Sequence, residues 1–353
     1  MEHAGPAIRY RLATEVFPGM LDAGALASLR EDIAALPSVK AAIRKQKDTG
    51  IWGGNLLGVF PNKTTGIKEP GTIPVFRRLV EMGFRPEDRP MRVGARILFR
   101  LVSRDEDPKL LFEYAKYDAA EVGTEPWIRG FIREAATAAL AHAGMGDDPR
   151  VRGAAHRILN QISQFVRSEM AENPFVKEGR SWVLNPLAYP PSVFSVNLLA
   201  HLPAVQRERA GLVERLGQYL NAPAPKKEYS VTSGKKAIKP DFLLLGDPLH
   251  VDASGHPDDL PFALMWMEQL ARLGLLRTSN CAAKIWTRLM KETDESGVWH
   301  PKNMRSAPKS SSPWAYHMFQ LDCDSKKAEA RLTDVNFRMA LIARLAGWEL
   351  QSV

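Results

Sequence analysis

The feature that most constrains this chain is a helix–turn–helix unit that recurs along it with little identity between copies. Three copies are clear, at residues 73–101, 132–162 and 260–289, and residues 195–220 fill the place of a fourth. Each copy has an apolar helical pattern, a short polar turn and a second apolar helical pattern. A periodic unit of this kind predicts an all-α protein built from helix pairs.

The spacing of the turns supports a true repeat. Gly83 and Gly144 mark two of the turns and are 61 residues apart, whereas Gly144 and Gly274 are 130 apart, close to two such steps. A period of about 60 is longer than the roughly 33–47 residues of short solenoid repeats. The unit is therefore expected to be a pair of longer helices with a sizeable connection.

Composition excludes several classes of protein. The chain has 353 residues, of which 45% are hydrophobic and 25% charged, with a net charge of +8. It has two cysteines, no basic and apolar leader at the N-terminus and no long uninterrupted apolar stretch. These features argue against a disulfide framework and a membrane span, and they predict a cytoplasmic protein. The lysine-rich loop at residues 223–240 is expected to be mobile, and either solvated or a contact for anionic partners.

A recurring phrase follows some of the predicted helices. Residues 46–52 read QKDTGIW and residues 294–299 read DESGVW, while residues 145–151, MGDDPRV, form the turn of one helix pair. In QKDTGIW and DESGVW a glycine permits a tight turn at the end of a helix, and a tryptophan follows two residues later. We expect Trp52 and Trp299 to fold back as buried plugs over their helix pairs.

These phrases resemble the repeat consensus of the terpenoid cyclase and protein prenyltransferase superfamily, the squalene-cyclase-like proteins. In that consensus a helix ends at Gln-x-x-Asp-Gly-x-Trp, and the next pair carries Leu-x-x-Leu-Gly followed by Asp-Asp-x-Arg-Val. The similarity covers the chain from about residue 38 to its end. It implies an α/α toroid over residues 38–353, with inner helices around a central cavity and outer helices around them. Residues 1–37 are then an N-terminal extension with a first helix.

The residues that the family's enzymes use for chemistry are not reproduced. The Asp-x-Asp-Asp acid motif is absent; its nearest approach is Asp322-Cys323-Asp324, and Asp147-Asp148 and Asp258-Asp259 are bare pairs. Cys323, its aspartate neighbours and His317 are legitimate zinc ligands, but their spacing is not the family's. We therefore predict no stoichiometric zinc. No phosphate-binding loop, dinucleotide fingerprint or other cofactor motif is present, so no cofactor is predicted.

The densest group of carboxylates and imidazoles lies in the loop before the third clear repeat. It comprises His250, Asp252, His256, Asp258 and Asp259. These side chains can exchange protons or hold a cation, which makes them candidates for a polar site at the mouth of the cavity. In the alternative interpretation Asp259 caps the following helix and the rest of the loop is solvated.

Aromatic side chains are candidates for the lining of the cavity. The selected residues are Trp127, Tyr189, Trp314 and Tyr316. Aromatic rings can line an apolar or cation-binding cavity, but they also plug helical repeats as ordinary core residues.

Two functions from different classes follow from the sequence. The first is a divergent toroid protein, either an enzyme or a binder, that holds an elongated apolar or oligomeric ligand in its central cavity. The alternative is a non-catalytic helical scaffold that binds a protein or a nucleic acid through its basic loops. Phosphate contacts would make affinity fall steeply with salt, so salt dependence distinguishes the two.

Overall fold

The computed structural model describes residues 3–58, 70–117, 127–233, 236–302, 308–315, 317–319, 321 and 328–350. Helices hold 56% of these residues, and the sheets found there are two separate two-stranded hairpins. The prediction of a predominantly α-helical protein is confirmed.

The helices and strands are as follows. The α-helices are α1 (Pro6–Arg11), α2 (Ala23–Ala35), α3 (Pro37–Lys45), α4 (Thr72–Glu81), α5 (Arg89–Val102), α6 (Trp127–His142), α7 (Pro149–Phe165), α8 (Val193–Ala200), α9 (Pro203–Glu208), α10 (Ala210–Leu220), α11 (Leu260–Arg272), α12 (Asn280–Lys291) and α13 (Ala328–Leu345). A π-helical segment, Leu12–Val16, continues α1, and short 3₁₀ turns lie at Pro108–Tyr117, Glu169–Ala171, Leu276–Thr278 and Pro313–Ala315. The strands are β1 (Phe175–Glu178), β2 (Ser181–Leu184), β3 (Val231–Ser233) and β4 (Lys236–Ile238).

The four repeat copies fall on helix pairs. Residues 73–101 form α4 and α5, residues 132–162 form most of α6 and α7, and residues 260–289 form α11 and α12. Residues 195–220 contain three helices, α8 to α10, rather than two, because Pro203 begins a short extra helix. Pro37 begins α3 at its first turn, where a proline needs no hydrogen-bond donor.

The glycines at the repeat turns have the backbone conformation that the sequence predicts. Gly83, Gly144 and Gly274 have φ values of 93°, 82° and 71°. Gly83 has a second constraint, because a Cβ there would lie 2.7 Å from a ring carbon of Tyr10 in α1. This turn therefore brings α4 against the N-terminal helix.

The two turn tryptophans are buried. Trp52 is 2% exposed and Trp299 is 4% exposed, which confirms the prediction for both. Each indole N–H also has a partner at 2.9 Å: the carbonyl of Ala42 for Trp52, and Oε2 of Glu292 for Trp299. Each tryptophan closes a small bridge across its turn, to Gln46 and Thr293 respectively.

Six helices contact one another in a circuit. Helix α4 packs on α6, α6 on α8, α8 on α11 and α11 on α13, and α13 contacts α1 with its π-helical continuation. Arg85, just after α4, donates to the hydroxyl of Tyr10 in α1 at 2.7 Å. We call α1, α4, α6, α8, α11 and α13 the inner helices. Several of the remaining helices pack against them, such as α5 and α7 on α6.

The C-terminal ends of five inner helices meet, whereas α13 contributes Arg338 from its middle. Arg11, Glu81, His142 and Arg272 are the last residues of α1, α4, α6 and α11, and His201 caps the end of α8. All five side chains belong to one connected polar cluster, described below. The N-terminal helix is therefore part of the centre of the molecule.

The structure has two β-hairpins in addition to the helices. Strand β1 pairs antiparallel with β2, and β3 with β4. The second hairpin lies within the lysine-rich segment 223–240, in which the ammonium of Lys227 lies 4.3 Å from the ring of Trp182 in β2. No helix of the described chain is long and apolar enough to cross a bilayer.

We expect Trp299→Ala to lower the free energy of unfolding by about 3–5 kcal/mol, because it leaves a large cavity in the core. Trp52→Ala should behave similarly. Leu187 is 81% exposed, so Leu187→Ala is a matched control that should change stability by less than about 0.5 kcal/mol. Chemical denaturation measures all three. Wild-type midpoints for both tryptophan variants would contradict the account of the turns.

Candidate functional site

A closed loop of alternating charges lies where the inner helices meet. Three arginines and three glutamates form it, each within ion-pair distance of the next: Arg11, Glu81, Arg338, Glu268, Arg272, Glu15 and back to Arg11. The residues come from α1, its π-helical continuation, α4, α11 and α13. The positive and negative charges in the loop are equal in number, so the loop neutralises itself.

Glu81 is the most enclosed member of the loop. Its Oε2 accepts from Arg11 and, at 2.5 Å, from Arg338, and its side chain has no exposed area. Burial alone would raise the pKa of Glu81, but Arg11 and Arg338 lower it well below its usual range. The carboxylate is therefore ionised and ties the first, second and last inner helices together.

The rest of the loop runs along α11 and α1. Arg338 donates to Glu268 at 2.8 Å and Arg272 donates to the other oxygen of Glu268 at 2.9 Å. Arg272 lies 3.6 Å from Glu15, to which Arg11 donates at 2.8 Å. Burial alone would lower the pKa of Arg11, but Glu15 and Glu81 raise it above its usual range.

Arg77 lies beside this loop without a carboxylate of its own. It is 6% exposed, and its one hydrogen bond to a described residue runs 3.5 Å from Nε to Nδ1 of His142. Burial lowers the pKa of Arg77 to about 10, although the charges of Glu81 and Glu268 partly oppose this. A guanidinium carries five N–H donors, and one of those of Arg77 has a hydrogen-bond partner among the described residues.

Three imidazoles surround the same point. The ring centroid of His142 lies 4.4 Å from that of His201 and 5.9 Å from that of His317. Burial lowers the pKa of all three, and the positive charge of Arg77 further lowers that of each ring. All three are therefore neutral at pH 7.

Hydrogen bonds assign the proton on two of these rings. Nδ1 of His201 lies 2.9 Å from the carbonyl of Asn197, which can only accept, so Nδ1 carries the proton and Nε2 offers a lone pair. Nδ1 of His142 accepts from Arg77, so its proton is on Nε2, 3.0 Å from Oε1 of Glu81. This contact also helps to lower the pKa of Glu81.

Several buried polar atoms at this centre lack a hydrogen-bond partner among the described residues. They are Nε2 of His201, Nε2 of His317 and Nε of Arg338. Buried polar atoms in folded proteins are nearly always paired, so this concentration makes the place a candidate binding site for a further polar group. We call Arg77, Glu81, His142, His201 and His317 the polar centre.

Glu81, His142 and His317 could also hold a metal ion, since one donor atom of each lies within 4.8 Å of the others. Two features oppose this. A metal-binding imidazole normally donates its other N–H to an acceptor, whereas Nδ1 of His142 faces the donor Arg77. Glu81 is already shared between two arginines. The donor set is suitable for a metal, but its surroundings are not.

The loop proposed from sequence as a cavity mouth lies elsewhere. His250, Asp252, His256 and Asp258 are exposed. Oδ1 of Asp252 accepts from the backbone N–H groups of Ser254 and His256, both at 2.9 Å, which closes a tight turn. The side chains remain available to solvent, and ligand binding by this loop stays a prediction.

Asp259 has two structural roles. Its Oδ1 accepts from the backbone N–H of Phe262 at 2.9 Å and caps α11, as the alternative interpretation expects. Its Oδ2 accepts from the hydroxyl of Ser310 at 2.7 Å and the backbone N–H of Ser311 at 2.9 Å. Asp259 thus anchors the segment that leads to Trp314.

The structure brings two of the candidate aromatics into one cluster. Trp127 stacks on Phe131 with ring centroids 5.5 Å apart, and Phe242 lies between Trp127 and Trp314, 5.5 Å from the first and 6.1 Å from the second. Phe194 and Tyr114 belong to the same aromatic cluster, each with its ring centroid 5.8 Å from that of Phe131. Tyr316 lies outside the described residues, as do Asp322, Cys323 and Asp324 of the zinc hypothesis.

Tyr189 contacts a buried acid. Its hydroxyl donates to Oε2 of Glu134 in α6 at 2.8 Å, and the hydroxyl of Ser192 donates to Oε1. Burial raises the pKa of Glu134, although these hydrogen bonds oppose the shift. Whether the aromatic candidates line a cavity or form core packing stays a prediction.

The polar centre was not predicted from the sequence. Its residues lie on four separate segments, with Arg77 and Glu81 both on α4, and no two are closer than four residues. The available signal was positional: Glu81 and His142 each stand at the end of an apolar helix, directly before the repeat's turn. A charged residue there is normally solvated, so the pattern alone did not indicate burial.

Comparison with protein-family models, with curated proteins and with solved structures found no match to this chain.

We expect Glu81→Gln to lower the free energy of unfolding by about 3–5 kcal/mol, because it leaves Arg11 and Arg338 buried without their common counter-ion. Asp148→Asn is the matched control: it neutralises the exposed pair with Arg150 and should cost less than about 1 kcal/mol, since asparagine also caps a helix. Urea titration measures both. Equal midpoints for the two variants would contradict the role given to Glu81.

Stability should also fall as the pH decreases below about 6.5. The unfolded chain then takes up protons that the buried, neutral rings of His142, His201 and His317 refuse, because burial lowers the pKa of each. Each ring contributes up to about 1.4 kcal/mol per pH unit. Glu134, whose pKa burial raises, contributes a slope of opposite sign.

His201→Gln isolates the effect of one ring. The variant should lose stability less steeply between pH 7 and pH 5.5 than the wild type, by up to about 1.4 kcal/mol per pH unit. Thermal midpoints across this range measure the slope. Parallel curves for the two proteins would show that His201 takes up its proton at the same pH in the folded and the unfolded protein.

Proposed function

We propose that the chain is an α/α toroid that binds a ligand inside its circuit of inner helices and holds an anionic group of that ligand at the polar centre. The observation that carries this is Arg77, a buried guanidinium with no carboxylate partner in the described chain. A buried, unpaired charge costs several kcal/mol, so the folded protein maintains this group at the expense of stability.

Electrostatic balance favours an anion over a cation at this point. The six-membered charge loop is neutral by itself, and the three imidazoles are neutral, so Arg77 is the remaining formal charge. The converging helix ends supply partial negative charge, worth about 0.3–1 kcal/mol each. They offset part of the charge of Arg77 but do not provide acceptors for its terminal N–H groups, and a carboxylate or phosphate matches that fork.

The bound group should also donate a hydrogen bond. Nε2 of His201 is a buried lone pair without a partner in the described residues. A group that accepts from Arg77 and donates to His201 satisfies both at once. A phosphate monoester that carries one proton has both properties, whereas a fully ionised carboxylate has only the first.

The resemblance to toroid proteins adds an apolar part to this ligand. Helix α6 carries the aromatic cluster at its start, through Trp127 and Phe131, and His142 of the polar centre at its end. Its 16 residues span about 24 Å. A ligand along this helix would present an apolar chain to one end and an anionic group to the other.

The alternative function that the sequence predicts, a non-catalytic helical scaffold that binds a protein or a nucleic acid through its basic loops, stays a prediction.

We expect Arg77→Gln to weaken the binding of dodecyl phosphate, at concentrations below micelle formation, by about tenfold or more, as for loss of a charged hydrogen bond. Titration calorimetry measures this. Dodecanol lacks the anion and inorganic phosphate lacks the tail, so the two ligands separate the contributions of head and chain. Arg344→Gln, at an exposed position on α13, is the control for removing an arginine and should bind as the wild type does.

Stability separates a binding role from a structural one. If Arg77 awaits a ligand, Arg77→Gln in the free protein should be as stable as the wild type or more so, because a buried unpaired charge is removed. Strong destabilisation of this variant with unchanged ligand binding would contradict the proposal. So would one tightly held metal ion per chain that is lost in His317→Gln, since that outcome assigns the centre to a cation.

A further inference from the structure

A second cationic site lies on the outer surface, between α5 and α7. It is a groove with a volume of about 510 Å³, lined by Arg92, Arg96, Phe99, Met145 and Arg150 among others. Its size is within the usual range of small-molecule sites, roughly 300–1,000 Å³. We call it the arginine groove, and it shares no residue with the polar centre.

The groove has a row of positive charges along one side. Arg92, Arg96 and Arg100 are exposed and follow one another at four-residue intervals on α5, which places them about 6 Å apart on one face. Arg100 is neutralised by Asp105 at 2.6 Å. Among the described residues that line the groove, Asp105 is the one acidic side chain.

Arg92 and Arg96 keep their charge available. Neither takes part in an ion pair or a side-chain hydrogen bond within the described residues. Two adjacent guanidinium groups match the oxygens of phosphate in number and geometry, and each can bind them with two parallel hydrogen bonds.

The other side of the groove combines an aromatic ring with a guanidinium. The guanidinium of Arg150 lies 3.8 Å from the ring centroid of Phe99. Arg150 also donates a hydrogen bond of 2.8 Å to Oδ2 of Asp148, which holds the guanidinium in place. Ala95 and Met145 extend the apolar surface. Planar bases stack on aromatic rings and on arginine planes of this kind.

We infer that the arginine groove binds a nucleoside phosphate, with its phosphates on Arg92 and Arg96 and its base against the stacked pair of Phe99 and Arg150. The ligand class goes beyond the function proposed for the interior. An acidic peptide would satisfy the charges but would leave the stacked pair unused. The same chemistry is offered by a free nucleotide and by a nucleotide within a single-stranded nucleic acid.

Calorimetric titration with ATP tests the inference. The double variant Arg92→Gln/Arg96→Gln should weaken ATP binding by about tenfold or more, because it removes both phosphate contacts. Arg152→Gln/Arg207→Gln is the matched control: it removes two exposed arginines, lowers the net charge equally and should leave the affinity unchanged. Arg77→Gln should also leave it unchanged, which separates this groove from the polar centre.

Recognition of the base is tested with tripolyphosphate, which carries the phosphates alone. The wild type should bind ATP about fivefold or more tightly than tripolyphosphate, and Phe99→Leu should reduce this preference. Saturable binding of a short oligothymidylate but not of ATP would assign the groove to nucleic acid, and the reverse to free nucleotides; both support the inference. Three results would overturn the inference. The two double variants could lose ATP affinity equally, or the wild type could show no preference for ATP over tripolyphosphate. The third is no saturable binding of either nucleotide probe at millimolar concentration.

Discussion

The carboxylate of Glu81 holds two arginines that come from opposite ends of the chain. Arg11 belongs to the first inner helix and Arg338 to the last, and both donate to the same oxygen of a side chain at the end of α4. A buried ion pair of this kind adds little net stability, because desolvation offsets much of the attraction. Its effect is on specificity: once the apolar faces have collapsed, only the arrangement that brings these three helices together leaves no charge of the loop unpaired. The contact therefore links α1, α4 and α13.

The neutrality of the charge loop determines the chemistry beside it. Because Glu15, Glu81 and Glu268 are taken up by three arginines, none of them is left to balance Arg77. The same surplus of positive charge, together with burial, keeps His142, His201 and His317 neutral. A neutral imidazole with its proton fixed by a backbone carbonyl, as in His201, presents a lone pair at constant position. Together these groups form a site that accepts and donates hydrogen bonds within a few ångströms, enclosed by apolar helices.

Much of the fold could be predicted from the sequence, because helix pairs are encoded by local periodicity and local turn chemistry. The repeat at residues 73–101 and the burial of Trp52 and Trp299 follow from patterns a few residues long. The polar centre could not be predicted in this way, because Arg11 and Arg338 are neighbours only after the circuit closes. The high local density of carboxylates and imidazoles predicted a site at residues 250–259 instead. There the structure shows that Asp252 closes a turn and Asp259 caps α11. Short-range clusters of aspartate indicate turns and caps at least as often as sites.

The most direct measurement of the central claim is nitrogen NMR of the imidazole rings, with resonances of the eight histidines assigned through His→Gln variants. The account predicts that His142, His201 and His317 stay neutral as the pH falls through about 6.5, the ordinary pKa of histidine. It also predicts that His201 carries its proton on Nδ1 and that His142 carries its proton on Nε2. Ordinary titration of these three rings near that pH would show that the centre is open to solvent and that its charges are not organised around Glu81 and Arg77.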